Sequence, residues 1–216
     1  EKYWALTKRK PEREAILDRL ITDASVLGDE DNQLEFVFDL HDLWGGYHNY
    51  TDSNFLEDLF TPQQAVDLWE VANYSDFLGH SFNRYNQIEL LQDIERLADE
   101  AIAGSDHCAD FRFGHDYVLN AFFPLLNIGG SAHVPDKADD VKFWFQNYNT
   151  PMASNIQFVL YRSKKTPDDI LFKVLHNGAE AIMPQFTPFS GPYYRWSDFK
   201  QWAAQLYSAH PVEERK

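Results

Sequence analysis

The chain has 216 residues, of which 44% are hydrophobic and 16% aromatic, and its formal net charge is −15. This length allows about 70% of the unfolded surface to be buried, so a sizeable core is expected. The charge argues against a nucleic-acid-binding protein, which needs a basic patch. A membrane span is not predicted either, because the sequence contains no run of about 18 apolar residues. The single cysteine, Cys108, excludes an intrachain disulfide and a cysteine-based zinc site.

The first hundred residues are predicted to be mostly helical. Residues 11–27 combine an early proline, two glutamates and an apolar stripe, which predicts a helix that ends at Gly28. Residues 33–44 contain both strand-forming residues and a helical apolar face, and the helical face is the better fit.

Two further helices have clearer end signals. Thr61 and Gln64 form a capping box around Pro62, which predicts that a helix begins there. Residues 86–104 carry the most regular apolar stripe in the chain, and Gly104 ends it.

Strand patterns enter the sequence after Ser105. Residues 111–113 alternate as a strand does, and an apolar helix follows. Residues 156–161 and 170–176 are rich in β-branched and aromatic residues, and the polar connector between them predicts a β-hairpin. A closing helix is predicted with Ser197 as its N-cap.

The tract GPYYRWSDF, residues 191–199, precedes that closing helix. Its aromatic residues suit either a platform for a carbohydrate or the packing of the last helix, and packing is the more common use.

The segment ADFRFGHDYVLN places a His-Asp pair, His115 and Asp116, where a predicted strand gives way to a helix. Asp116 is either a helix cap or, with His115, half of an active site. The nearby residues His107, Cys108 and Asp110 offer metal-ligand chemistry without the usual spacing of a metal site.

The order strand, Gly, His-Asp, apolar helix resembles the C-terminal part of the histidine acid phosphatases. These form the second branch of the histidine phosphatase superfamily, which includes phytases and multiple inositol-polyphosphate phosphatases. Residues 58–78 resemble the helical insertion that covers the family's active site, residues 168–184 its antiparallel hairpin and residues 192–202 its terminal helix. The resemblance spans residues 55–207.

The resemblance implies an α/β fold: the C-terminal portion of a histidine-phosphatase-type three-layer structure. Residues 1–105 would form a mostly helical cap region, and residues 106–216 the strand-helix-hairpin-helix part of the catalytic core. It further implies a phosphorylated small-molecule substrate, no cofactor, no metal and a periplasmic or secreted location.

In this resemblance, His115 matches the family's second histidine, which binds the phosphate, and Asp116 matches its proton donor. A threonine often follows that pair in acid phosphatases, whereas here the residue is Tyr117. The family's nucleophile is a histidine in an N-terminal Arg-His-Gly motif. None of the eight histidines here follows an arginine or precedes a glycine. His41 also heads a His-Asp pair, but it lies in a predicted helix.

The expected function is therefore hydrolysis of phosphomonoesters through a phosphohistidine intermediate. The nucleophile would come from a missing N-terminal part of the same protein, so this chain alone is expected to be inactive. The alternative is a non-catalytic ligand-binding or structural domain that retains the second half of the fold.

Overall fold

The computed structural model describes residues 10–54 and 56–212. The chain divides into two compact units, with the boundary between Ser75 and Asp76. The expected division into a cap (residues 1–105) and a core (residues 106–216) concerns function and remains a prediction.

Three helices make up most of the first unit: α1 (Lys10–Leu20), α2 (Glu30–Gly46) and α3 (Pro62–Asp76). The capping box predicted for α3 is confirmed, since the Thr61 hydroxyl accepts the Gln64 N–H at 3.2 Å and Gln64 Oε1 accepts the Thr61 N–H at 3.0 Å. The helix predicted over residues 33–44 is also confirmed, because it lies within α2.

The helix predicted over residues 11–27 is shorter than expected. It ends at Leu20, and a separate 3₁₀ turn, Ala24–Leu27, follows it. The Asp23 carboxylate accepts hydrogen bonds from the Ser25 hydroxyl and backbone N–H, at 2.6 and 3.0 Å. An aspartate that bonds its neighbour in this way begins a new turn and interrupts the longer helix.

The second unit contains helices α4 (Ile88–Ala103), α5 (Asp116–Leu125) and α6 (Trp196–Ala209) and four strands. The strands are β1 (Ile156–Arg162), β2 (Ile170–His176), β3 (Ala179–Ala181) and β4 (Tyr194–Arg195). Gly104 ends α4 in the left-handed conformation, at φ 97°, as predicted.

The predicted hairpin is confirmed as the antiparallel pair β1–β2, in which Ile156 faces His176 and Arg162 faces Ile170. β3 and β4 both pair with β2, also antiparallel. One face of the sheet packs on the apolar core, through Phe158 and Phe172 among others.

The core of the second unit joins this face to helices α4, α5 and α6. Its fully buried residues include Leu91 of α4, Leu126 at the end of α5, and Phe199 of α6. Phe199 stacks on Trp196, with ring centroids 4.6 Å apart. The aromatic residues of the tract 191–199 therefore pack the closing helix, which is the more common of the two uses considered above.

Helix α6 begins two residues earlier than the predicted N-cap, Ser197, implies. Arg195 occupies the N-cap position, and Ser197 is exposed and lies inside the helix. The indole N–H of Trp196 donates a hydrogen bond to Asp99 of α4 at 2.8 Å. This bond holds Trp196 in the first turn of α6.

His41 lies on α2 in the core of the first unit. Its ring contacts Trp44 and Phe60, and its Nε2 lies 3.1 Å from the Ala65 carbonyl oxygen. Burial lowers the pKa of His41 below its ordinary value of 6.5. Because Nδ1 is buried without a partner, a second proton would also lack an acceptor. The His-Asp pair at His41 is thus structural.

The pKa of His41 predicts how the stability of the first unit depends on pH. The unfolded chain binds this proton more readily, so the free energy of unfolding should decrease as the pH falls below about 6.5. His41→Gln keeps a donor for Ala65 and removes the titration, so its stability should decrease less between about pH 7 and pH 5. Urea denaturation at both pH values measures this. His133→Gln, at an exposed histidine, is the control, and equal slopes for wild type and His41→Gln would contradict the assignment.

Candidate active site around His115 and Asp116

The segment before the His-Asp pair is not part of a sheet. Residues 109–115 belong to no strand, and none of their N–H groups donates to a backbone carbonyl among the described residues. Phe111 and Phe113 are 80% and 96% exposed. The strand predicted at residues 111–113 is therefore wrong for this chain, because no neighbouring strand pairs with it.

Arg112 attaches this segment to α4. Its guanidinium forms a short ion pair with the Asp93 carboxylate. Asp93 also accepts a hydrogen bond from Arg96. The hydrogen bonds from Arg96, which has the larger effect, and from Arg112 hold the pKa of Asp93 below its usual range. Arg112 therefore contacts α4, while the two phenylalanines remain exposed.

His115 and Asp116 lie at the start of α5, as predicted. His115 is the N-cap residue, with an extended backbone at φ −102° and ψ 160°, and Asp116 is the first residue of the helix. Both side chains are exposed. Asp116 is thus not the N-cap, and a carboxylate in this position interacts favourably with the helix dipole.

The two oxygens of Asp116 differ in their surroundings. Oδ1 accepts the backbone N–H of Tyr117 at 2.9 Å. Oδ2 has no partner among the described residues, so this oxygen is free to carry a proton and to release it to a ligand.

A ring contact extends the site beyond the predicted pair. The imidazole of His115 stacks on the phenol ring of Tyr117, with centroids 5.2 Å apart and planes 10° apart. The imidazole of His80 stacks on the same ring at 5.5 Å and 30°. No motif in the sequence points to His80, because it lies 37 residues before Tyr117 and reaches that ring only in the folded chain.

A buried polar contact supports α5 one turn beyond Asp116. Asn120 is 3% exposed, and its Oδ1 lies 2.8 Å from the Thr150 hydroxyl. The same hydroxyl lies 2.7 Å from the Asn147 carbonyl oxygen. A hydroxyl has one proton, so both contacts are satisfied when the amide nitrogen of Asn120 faces Thr150 and the hydroxyl donates to Asn147.

Other predicted candidates are not drawn into this site. His107 Nε2 lies 3.3 Å from Asp110 Oδ2, and Cys108 is exposed with a free thiol. Within residues 10–54 and 56–212, no group of three His, Cys, Asp or Glu side chains has the arrangement of a metal site, and no helix there is long and apolar enough to cross a membrane.

Comparisons with known proteins support the fold. No protein-family model and no curated protein matches the chain. The solved structure of the Bifidobacterium longum multiple inositol polyphosphate phosphatase, in complex with inositol hexasulfate, is similar over 85% of this chain, with a TM-score of 0.67 and 20% sequence identity. The match covers 41% of the phosphatase chain, so this chain spans less than half of its length. At this identity the similarity shows a shared fold, and the predicted α/β class is confirmed.

The support of α5 by Thr150 can be tested through stability. Thr150→Val keeps the shape and leaves the buried amide of Asn120 without a partner, which should lower the free energy of unfolding by about 1–3 kcal/mol. Thr150→Ser keeps the hydroxyl and should retain most of the stability. Urea denaturation of both variants measures the difference, and a Val variant as stable as the Ser variant would show that the contact contributes nothing.

Proposed function

We propose that this chain is part of a phosphomonoester hydrolase of the histidine phosphatase type. The observation that carries the proposal is the exposed pair His115–Asp116, which lies at the first turn of a buried helix in a fold similar to part of a phosphatase. The substrate is a phosphorylated small molecule. Inositol phosphates are the leading class, because the similar structure is that of an inositol polyphosphate phosphatase.

His115 binds the transferred phosphoryl group. Its ring is exposed and oriented by Tyr117, and an imidazole N–H is a donor for a phosphate oxygen. The N-terminus of α5 adds partial positive charge at the same place.

Asp116 protonates the leaving oxygen. A phosphate bound beside it favours the neutral carboxylic acid, because the charged form would repel the anion. Its Oδ2 has no competing partner among the described residues, so the proton is available to the departing alcohol.

The nucleophile is supplied by a part of the protein outside residues 1–216. No histidine in this chain has the Arg-His-Gly context of the family's nucleophile. Residues 109–115, with exposed Phe111 and Phe113, belong to no strand, and their N–H groups donate to no backbone carbonyl among the described residues. Strands from that additional part would pair with this segment and bring the nucleophile beside His115. A periplasmic or secreted location follows from the family resemblance.

The first test concerns activity. Residues 1–216 alone should not release phosphate from phytate or an aryl phosphate above the rate of the His115→Ala variant, because the nucleophile is absent. Steady-state phosphate release measures this. If the purified chain turns over either substrate and the His115→Ala substitution abolishes that turnover, the nucleophile lies within these residues.

The second test concerns the acid, in a longer polypeptide that includes the nucleophile-bearing part. Asp116→Asn keeps the size and removes the proton, so kcat/KM for an inositol phosphate should fall by about 10²–10⁴-fold. An aryl phosphate with an acidic phenol needs little protonation and should be affected least. His115→Ala removes a contact to the phosphoryl group itself and should slow both substrates alike.

The ratio of the two kcat/KM values for each variant is the readout, with circular dichroism to check the fold. An equal loss on both substrates for Asp116→Asn would remove the acid role. Unchanged rates for both variants would favour the non-catalytic binding domain.

A further inference from the structure

Two imidazoles lie next to one phenol ring at the surface of the second unit. The rings of His80 and His115 each stack on Tyr117, yet they form no ring contact with each other. Neither imidazole has a hydrogen-bond partner among the described residues. An imidazole keeps at least one N–H in either protonation state, so the arrangement presents two separate donors to solvent.

His80 is held in place by an unusual turn. Residues Phe77–Ser81 form a single π-helical turn, in which the Phe82 N–H donates to the Phe77 carbonyl at 2.8 Å. The side-chain amide of Asn83 donates to the carbonyls of Leu78 and Gly79, at 3.1 and 3.3 Å. Single π turns occur often at functional sites because they redirect one side chain.

The turn is also anchored from inside. Phe77 is 4% exposed and Ser81 is 1% exposed, whereas His80 between them is only half-buried. The turn packs against α5, the helix that begins at Asp116. The backbone that carries His80 therefore packs against the helix whose N-cap residue is His115.

We propose that His80, Tyr117 and His115 form a two-point binding site for a small ligand that carries two anionic ester groups on one ring. His115 binds one ester group and His80 binds its neighbour, while Tyr117 sets the spacing between the two imidazoles. A monoester reaches one imidazole only, so His80 is a specificity-determining residue. This site rests on the proposed function for the role of His115, and it adds a second contact that neither the His-Asp pair nor the family motif includes.

The charges around the site are consistent with this role. Asp116 is the acidic side chain next to His115, and its Oδ1 is already engaged by the Tyr117 N–H. Arg112, the nearest cation in sequence, is paired with Asp93. The side-chain donors assigned to an anion here are therefore the two imidazoles, beside the N-terminus of α5.

The test is an NMR titration of the histidine ring resonances of residues 1–216. Inositol hexasulfate is the probe with adjacent anionic groups, and inorganic sulfate is the probe with one. Inositol hexasulfate should shift the His80 and His115 resonances together with a single dissociation constant. His80→Ala should weaken its binding by about tenfold, the loss of one charge-assisted contact, and leave the affinity for inorganic sulfate unchanged. His80→Gln keeps an N–H donor and should recover most of the affinity.

His133→Ala is the matched control, since His133 is also an exposed imidazole on an aromatic ring, that of Trp144. Its affinity for inositol hexasulfate should equal that of the wild type. A shift of His115 without His80 overturns the two-point site and leaves the proposed hydrolysis intact. No response of either imidazole, or an equal loss in His133→Ala, also overturns it. If both imidazoles respond but the longer polypeptide does not hydrolyse phosphate esters, the binding site stands and the proposed function fails.

Discussion

The burial of α5 is the constraint on which the candidate site depends. Every residue from Asn120 to Leu125 is buried, whereas every residue from Phe111 to Tyr117 is exposed. A helix with one end in a close-packed core cannot slide or rotate without opening a cavity or straining its neighbours. The apolar side chains at the far end of α5 therefore fix the positions of His115 and Asp116, although they take no part in the chemistry.

The exposed segment before α5 has the opposite character. Burying a phenylalanine side chain stabilises a protein by about 1.5–3 kcal/mol relative to leaving it in water. Phe111 and Phe113 contribute little of that stabilisation in this chain, and the N–H groups of this segment donate to no backbone carbonyl of residues 10–54 or 56–212. A polypeptide that added strands here would gain both the apolar contacts and the hydrogen-bond ladder, while the ion pair of Arg112 with Asp93 already attaches the segment to α4.

Local signals in the sequence predicted local structure well. The capping box at Thr61, the glycine that ends α4 and the polar connector of the hairpin each act within a few residues, and each is confirmed. Signals that depend on distant partners were misleading. Residues 111–113 alternate correctly, but a strand also needs a neighbour, and the start of α6 depends on the bond from Trp196 to Asp99. His80 was missed for the same reason, because only the folded chain brings it to Tyr117.

The charge of the chain limits what this site can do by itself. A net charge of −15 slows the approach of an anionic substrate unless the pocket is locally positive. Phosphoryl transfer needs positive groups around the equatorial oxygens, and near Asp116 the described residues offer two imidazoles and a helix N-terminus. The charge of an imidazole depends on pH, whereas a guanidinium is always charged, and Arg112 is neutralised by Asp93. Under the proposed function, this arrangement would serve to orient the phosphate and donate a proton, and the permanent cations, like the nucleophile, would have to come from outside residues 1–216.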